Sequence, residues 1–127
     1  MVSNSNFDLD KMYCGAIRRG DIFLYEDDKQ NNKEFPVLVL QEDVLNQGLP
    51  TVVCSKIETY KKGQKIFSNE VLITKDESGL GRDGIIKLYK IFTIDRRVMI
   101  AKKAELSDKK IKEVYQALDI NLGRFRD

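Results

Sequence analysis

Histidine is missing from this 127-residue chain. That gap rules out acid–base catalysis by paired imidazoles, the common metal-free way to cut a ribose phosphodiester. Cysteine is nearly missing too. Cys14 and Cys54 are the only two, with no CxxC spacing, and together with the lack of histidine this excludes the common Cys/His zinc sites. So few cysteines fit a reducing compartment, although the two remain free to pair in principle. No apolar run approaches the length that spans a bilayer, and Met1 to Asn6 is polar with no apolar stretch behind it. The expectation is a cytoplasmic chain with no signal peptide. An excess of one charge is also absent: 22 Lys and Arg face 20 Asp and Glu, a net +2. Any attraction for a polyanion must then come from where the cations sit rather than how many there are.

What is present suits one small domain. Apolar residues make up 42% and charged residues 33% of the chain, and at this length roughly two-thirds of the unfolded surface can be buried. Residues 1 to 16 show no clean period and read as an extension with at most one helical turn. Asp21–Glu26 (DIFLYE) reads as a strand, ending in the polar tip Asp27–Glu34. Phe35–Gln41 (FPVLVLQ) is a second, with Pro36 tolerable at a strand's first residue. Its unalternating apolar stretch Val37 to Leu40 predicts a central strand covered on both faces.

Glu42–Gln47 suits one helical turn before Gly48 and Pro50. Further strands are expected at Thr51–Glu58, Glu70–Thr74, Gly84–Ile91 and Arg97–Ala101, with a basic loop at Thr59–Gln64 and a glycine-rich loop at Asp76–Gly84. In Gly84–Ile91 the alternation sets Ile86 and Leu88 on one face and Lys87 and Tyr89 on the other. One helix is clear, from an N-cap at Ser107 to a stop at Gly123, with Ile111, Val114, Tyr115, Leu118 and Leu122 as its apolar stripe. Mostly short strands followed by one helix predict a mostly β, α+β fold: an antiparallel, partly closed barrel with the C-terminal helix packed against it.

Without histidine, the groups left for acid–base work are carboxylates, Lys, Tyr and Arg, with Thr or Ser to orient a phosphate. Acidic residues are scattered, and the pairs Asp27-Asp28, Glu42-Asp43 and Asp76-Glu77 read as solvated loop charges rather than a metal centre. Cations gather in two places. Lys56, Lys61, Lys62 and Lys65 surround one strand end, and Lys87, Lys90, Arg96, Arg97, Lys102 and Lys103 occupy the later strands. Phe35, Tyr60, Phe67, Tyr89 and Phe92 are interleaved with them. Clustered cations with stacking rings are how a groove holds a single strand of nucleic acid. The bland alternative is a set of ordinary solvated faces.

Motif order adds to this. Arg18-Arg19-Gly20-Asp21-Ile22-Phe23, Phe35-Pro36-Val37-Leu38-Val39-Leu40-Gln41, Leu49-Pro50-Thr51-Val52-Val53, Gly84-Ile85-Ile86-Lys87, Ile91-Phe92-Thr93-Ile94-Asp95-Arg96-Arg97 and the terminal Leu106-to-Gly123 helix occur in sequence. In that order, from Arg18 to Arg126, they resemble the MazF/PemK family of endoribonuclease toxins. The resemblance divides the chain into an extension, 1–17, and a domain, 18–127. It implies a small SH3-like antiparallel barrel (CcdB/PemK-like) acting as a homodimer. It implies cleavage of single-stranded RNA without metal or cofactor, through a 2′,3′-cyclic phosphate. It also implies inhibition by an antitoxin whose extended segment wraps the toxin.

The same resemblance exposes departures. Phe35 stands where the family has an arginine before the proline, and Lys33, two residues earlier, cannot reproduce an arginine fork. Glu58 takes the place of the Thr or Ser at the end of the third strand. Thr59 is one residue late, so a regular strand points it to the other face and a bulge restores it. Tyr89 replaces a carboxylate and Phe92 an arginine, while Lys87 sits where some members carry one. A rebuilt site would use Glu58 as base, Lys87 as acid or phosphate clamp and Thr59 to orient. Arg19, Lys33, Phe35, Lys56, Lys61, Lys62, Arg96 and Arg97 would then contact RNA, with Arg96 or Arg97 stabilising the transition state. Each has an ordinary reading: Glu58 pairing with Lys56 or Lys61, Lys87 facing solvent, Arg96-Arg97 in a hairpin turn. The competing function is a catalytically inactive module binding RNA, an antitoxin-like peptide or, as in the CcdB toxins, gyrase.

Overall fold

The computed structural model describes residues 10–124. Residues 1–9 of the expected extension, and Arg126 at the far end of the resemblance, lie outside the described residues. The elements are β1 (Asp21–Asp27), β2 (Lys33–Val39), α1 (Asp43–Gly48), β3 (Thr51–Thr59), β4 (Glu70–Ile73), α2 (Lys75–Ser78), β5 (Gly84–Asp95), β6 (Met99–Glu105) and α3 (Asp108–Leu122). Short 3₁₀ turns occupy Asp28–Gln30 and Arg96–Val98. The strands form one antiparallel sheet in the order β4-β5-β3-β2-β1-β6.

The sheet is curled into a half-barrel. Although β4 and β6 are its two edges, Gly79, which ends α2 just after β4, packs directly on the Lys103 carbonyl of β6. One face encloses Ile22, Leu38, Ile57, Val71, Ile73, Ile86 and Leu88, capped by Leu106 and by Val114 and Ala117 of α3. The other carries Phe23, Val37, Val39, Val52, Cys54, Ile94 and Met99. On β2, Leu38 faces the first cluster while Val37 and Val39 face the second, all at or below 1% exposure. The unalternating apolar run therefore does mark a strand buried on both sides. Residues 10–17 run over the second face: Ile17 joins its core, Tyr13 meets Phe23 edge-on at 4.9 Å, and the Tyr13 amide donates to the Met99 carbonyl at 2.8 Å. Cys14 is exposed and Cys54 buried, both as free thiols, and burial pushes the Cys54 thiol up to about 12.

Several boundaries differ from the sequence expectation for local reasons. β2 starts at Lys33, so Pro36 is interior to it. Pairing with β3 begins only at Val37, so at Pro36 the strand has β1 alone as a neighbour and a missing N–H costs little. The stretch read as pure loop after Thr74 opens with the one-turn helix α2. Thr74 and Glu77 close a capping box around it, the Thr74 hydroxyl accepting from the Glu77 amide at 3.1 Å and the Glu77 carboxylate from the Thr74 amide at 2.8 Å. β5 continues past Ile91 to Asp95, and β6 begins after the Arg96–Val98 turn. In α3, Ser107 caps and Gly123 (φ 70°) terminates as expected. Leu122, however, is 59% exposed and Ala117 fills the stripe in its place. Tyr115 contributes through its hydroxyl, which donates to the Leu40 carbonyl at 2.9 Å. Among the described residues no helix is long and apolar enough to cross a membrane.

Closure of the barrel gives the first test. Gly79 and Gly81 both have positive φ, 67° and 79°, so an alanine at either carries a backbone cost of about 1 kcal/mol or more. Only at position 79 would the added methyl strike a carbonyl, whereas nothing lies within 4 Å at position 81. Gly79→Ala is expected to lower the unfolding free energy by about 2 kcal/mol more than Gly81→Ala, measured by urea denaturation. Equal losses would mean that α2 does not hold the two edges together.

Candidate nucleic-acid interface

The chemistry-bearing face is set by a bulge. Ser55 pairs with Ile91, but the next residue, Lys56, pairs with Lys87, leaving Leu88, Tyr89 and Lys90 of β5 opposite no residue of β3. Such an insertion bends the strand and re-aims its side chains. Lys87 is flanked by Lys56 on β3 and Glu70 on β4, in one row across three strands. Glu58, two residues beyond Lys56, points to the same face. The bulge then brings Lys90 back over Glu58.

The result is a compact five-charge cluster. Lys87 Nζ lies 2.5 Å from Glu70 Oε2 and 4.0 Å from Glu58 Oε1. Lys90 Nζ donates to Glu58 Oε2 at 2.7 Å, and Lys56 Nζ is 3.8 Å from the same oxygen. Lys87 and Glu70 are buried, with side chains 7% and 1% exposed, whereas Glu58, Lys56 and Lys90 reach solvent. Burial opposes the charge on Glu70. Hydrogen bonds from Lys87 and from the Phe67 amide (2.9 Å) outweigh it and hold the carboxyl below its usual range. Burial likewise opposes the Lys87 ammonium, yet hydrogen bonds to Glu70 and Tyr89 raise its pKa. The hydrogen bond from Lys90, helped by the charges of Lys90, Lys87 and Lys56, lowers Glu58 against a smaller burial effect. Three ammonium groups face two carboxylates, leaving the cluster cationic.

Rings border this cluster. Tyr25 and Phe35 are cross-strand partners with centroids 5.8 Å apart, and Tyr25 lies 5.8 Å from Phe92 on β5. All three are half-buried, each keeping some ring area accessible. Continuing the β2–β3 register past Val37–Lys56 brings Phe35 beside Glu58. Lys33 Nζ sits 5.6 Å from the Phe35 ring and Lys90 Nζ 5.9 Å from that of Tyr89. Partly exposed rings beside cations are an arrangement on which the bases of a single strand can stack while its phosphates meet the cations.

The structure thus groups Glu58, Lys87, Lys56, Phe35 and Lys33 of the residues singled out from sequence. Thr59 stands apart. β3 and β5 pair regularly from Lys56 to Thr59, so Thr59 turns to the opposite face from Glu58, and its hydroxyl accepts from Arg82 Nε at 2.9 Å. Lys61 and Lys62 are exposed in the turn beyond β3. Arg96 and Arg97 lie at the other end, beside Asp95, which pairs with Thr51, roughly 20 Å along the strand from Glu58. Arg97 forks onto Asp95 at 2.8 and 3.0 Å, and Arg96 donates to the Asn46 carbonyl at 3.1 Å. Arg19 sits on the α3 side, 5.1 Å from the Tyr115 ring.

Lys87 is not the solvent-facing strand residue of the ordinary reading, and Glu58 pairs with Lys90 more closely than with Lys56. Glu70, Tyr25 and Arg82 escaped the sequence reading. An acidic residue opening the apolar stretch EVLI was the available signal for Glu70, and an arginine between Gly81 and Gly84 that for Arg82. Among the described residues no three His, Cys, Asp or Glu side chains converge as metal ligands. A cavity of about 530 Å³ lies between β4 and α3, lined by Ile66, Val71, Leu72, Lys110 and Ala117 among others. Only Glu70 of the charge cluster reaches it, so it is not where the convergent charges act.

Known proteins share the sequence pattern and the fold of this chain. Residues 18–122 match the family described as PemK-like, MazF-like toxin of type II toxin-antitoxin system. The chain is 37% identical over 111 residues to Endoribonuclease MazF of Staphylococcus saprophyticus subsp. saprophyticus, covering 84% of this chain and 92% of that protein. Its fold is similar to that of a mycobacterial endoribonuclease solved with its cognate antitoxin. That match has TM-score 0.71 and 18% identity, covering 85% of this chain and 96% of the other. It is also similar to a MazE-MazF structure from Deinococcus radiodurans, at TM-score 0.65 and 19% identity, covering 86% and 97%.

The Glu70–Lys87 pair makes a pH-dependent prediction. Because its folded pKa is depressed, Glu70 contributes stability that is present above its unfolded value of 4.5 and lost as pH falls through the folded value. Glu70→Gln, which strands a buried ammonium, should cost about 3 kcal/mol at pH 7. The deficit relative to wild type should shrink at pH 3, below the unfolded value of 4.5, because the unfolded wild-type chain then takes up the proton and the advantage of the paired carboxylate declines. Urea titrations at the two pH values check this; a deficit independent of pH would contradict the assignment.

Proposed function

The chain belongs to the PemK-like, MazF-like toxin family, and from that premise we propose that it binds single-stranded RNA on the β3–β5 face and cleaves it without metal. The observation that carries the reading is Glu58 held among Lys90, Lys87 and Lys56 beside the Tyr25–Phe35–Phe92 rings. Bases stack on the rings and a backbone phosphate displaces Glu58 from its lysines. The freed carboxylate takes the ribose 2′-hydroxyl proton, the 2′-oxygen attacks phosphorus, and the bond to the 5′-oxygen breaks. The products are a 2′,3′-cyclic phosphate and a 5′-oxygen protonated by water. Lys87 and Lys56 neutralise the charge that builds on the phosphoryl oxygens. With a raised pKa, Lys87 keeps its proton and serves as a clamp rather than an acid.

A relative with a cognate antitoxin, and MazE-MazF assemblies of similar fold, support the same regulation here. In that reading the protein is a cytoplasmic homodimer silenced by an extended antitoxin segment. Phe35 and the tight neutralisation of Lys87 favour a second reading, in which the face retains RNA binding but has lost cleavage.

Incubating the protein with single-stranded RNA in EDTA separates the two. Cleavage ending in a cyclic phosphate is expected, falling by about 10²-fold or more in Glu58→Ala and also in Lys87→Met. RNA that is retained with salt-dependent affinity but never cut would establish the binding module. RNA that is neither bound nor cut would end both readings.

A further inference from the structure

The cations of the charge cluster are already matched by a carboxylate: Lys87 by Glu70, and Lys90 and Lys56 by Glu58. Arg82 is different. Among the described residues no carboxylate lies within ion-pair distance of it, and its side chain is anchored by a neutral group, Nε donating to Thr59 Oγ1 at 2.9 Å. A hydroxyl fixes the plane of the guanidinium without neutralising it. With the Nε–H engaged by Thr59, the Nη1 and Nη2 groups of this exposed residue remain to meet a ligand. Two parallel N–H groups in that arrangement match two oxygens of a phosphate.

The backbone that carries Arg82 is held from three sides. The Arg82 carbonyl accepts from Ser78 Oγ at 3.2 Å, and Ser78 is fully buried. The Asp83 carbonyl accepts from the Tyr60 amide at 3.0 Å, and the Asp83 carboxylate accepts from the Lys75 amide at 2.8 Å. A fork fixed in this way loses little freedom when it binds. It also stands next to the charge cluster, since Thr59 follows Glu58 on β3 and pairs with Gly84, two residues after Arg82. Lys61 and Lys62 are exposed in the turn that follows Thr59 along the chain.

We infer that Arg82, positioned by Thr59, is a second phosphate-binding site, taking a backbone phosphate of the RNA beyond the one held by Lys87 and Lys56. The inference rests on the RNA reading above for its ligand, and assigns Thr59 the part of a positioning residue rather than a catalytic one. An RNA strand crossing the end of β3 passes from the Glu58 face to the Thr59 face, so successive phosphates meet Lys87 and then Arg82, with Lys61 and Lys62 after them.

Two measurements on the full chain test this. In the first, inorganic phosphate is titrated while the arginine Nε–H resonances are followed by NMR. A saturable shift at Arg82, with Arg97 unmoved on its Asp95 fork, supports the site; an unmoved Arg82 overturns it. In the second, binding of a single-stranded RNA blocked at its 2′-hydroxyls is measured across salt concentrations for wild type, Arg82→Gln, Arg82→Lys and Thr59→Val. Arg82→Gln should weaken binding by about tenfold and lower the salt slope by about 0.7. Arg82→Lys should restore the slope without full affinity, and Thr59→Val should lose affinity while keeping the slope. Wild-type binding with an unchanged Arg82→Gln overturns the inference and leaves the RNA reading intact. A phosphate shift at Arg82 in a protein that binds no RNA supports the anion site and overturns the RNA reading instead.

Discussion

A buried ammonium is the constraint around which the working face is arranged. Lys87 sits in the middle of a sheet at 7% side-chain exposure, an environment that penalises its charge. It is tolerable only because Glu70 meets it from one neighbouring strand and Glu58 approaches from the other. That geometry requires the bulge of Leu88 to Lys90, which bends β5 so that Lys87 aligns with Lys56 and Glu70 while Lys90 folds back on Glu58. The bulge in turn is affordable because α3 covers its apolar member, Leu88, on the opposite face. Pairing, bulge and helix thus support one another.

The two apolar clusters divide the labour of the sheet. The enclosed face, closed by α3 and by the contact of Gly79 with Lys103, supplies the rigid body. The second face is core at one end, beneath Tyr13 and Ile17, and becomes a platform of rings and charges toward the other. One continuous surface therefore passes from packing to the proposed RNA platform, whose rings and clustered charges are mounted on strands.

Much of the fold was legible in the sequence because its signals are local. The double-sided burial of β2 follows from an apolar run that fails to alternate, and the limits of α3 follow from Ser107 and Gly123. The capping box around α2 is equally local, but it lies beside three glycines that by themselves favour a loop. The site was less legible, since it is made by register. Nothing in the order of residues announces that three residues of β5 are unpaired, and that offset alone places Lys87 opposite Lys56 rather than on open surface. Glu70 could be noticed as an acid opening an apolar strand, but its partner could not be named. Arg96 and Arg97 are adjacent cations in the sequence, but their side chains bind the Asn46 carbonyl and Asp95, far from Glu58. Thr59 and Arg82 are 23 residues apart and carry no shared motif.

The central claim is that the β3–β5 face is where an RNA strand lies. Chemical-shift mapping with a 2′-O-methylated single-stranded RNA, which cannot be cut, tests it most directly. Perturbations are expected to concentrate on Lys56, Glu58, Lys87 and Lys90 and on the ring signals of Tyr25, Phe35 and Phe92. Perturbations confined to the groove between β4 and α3, with those rings silent, would contradict it.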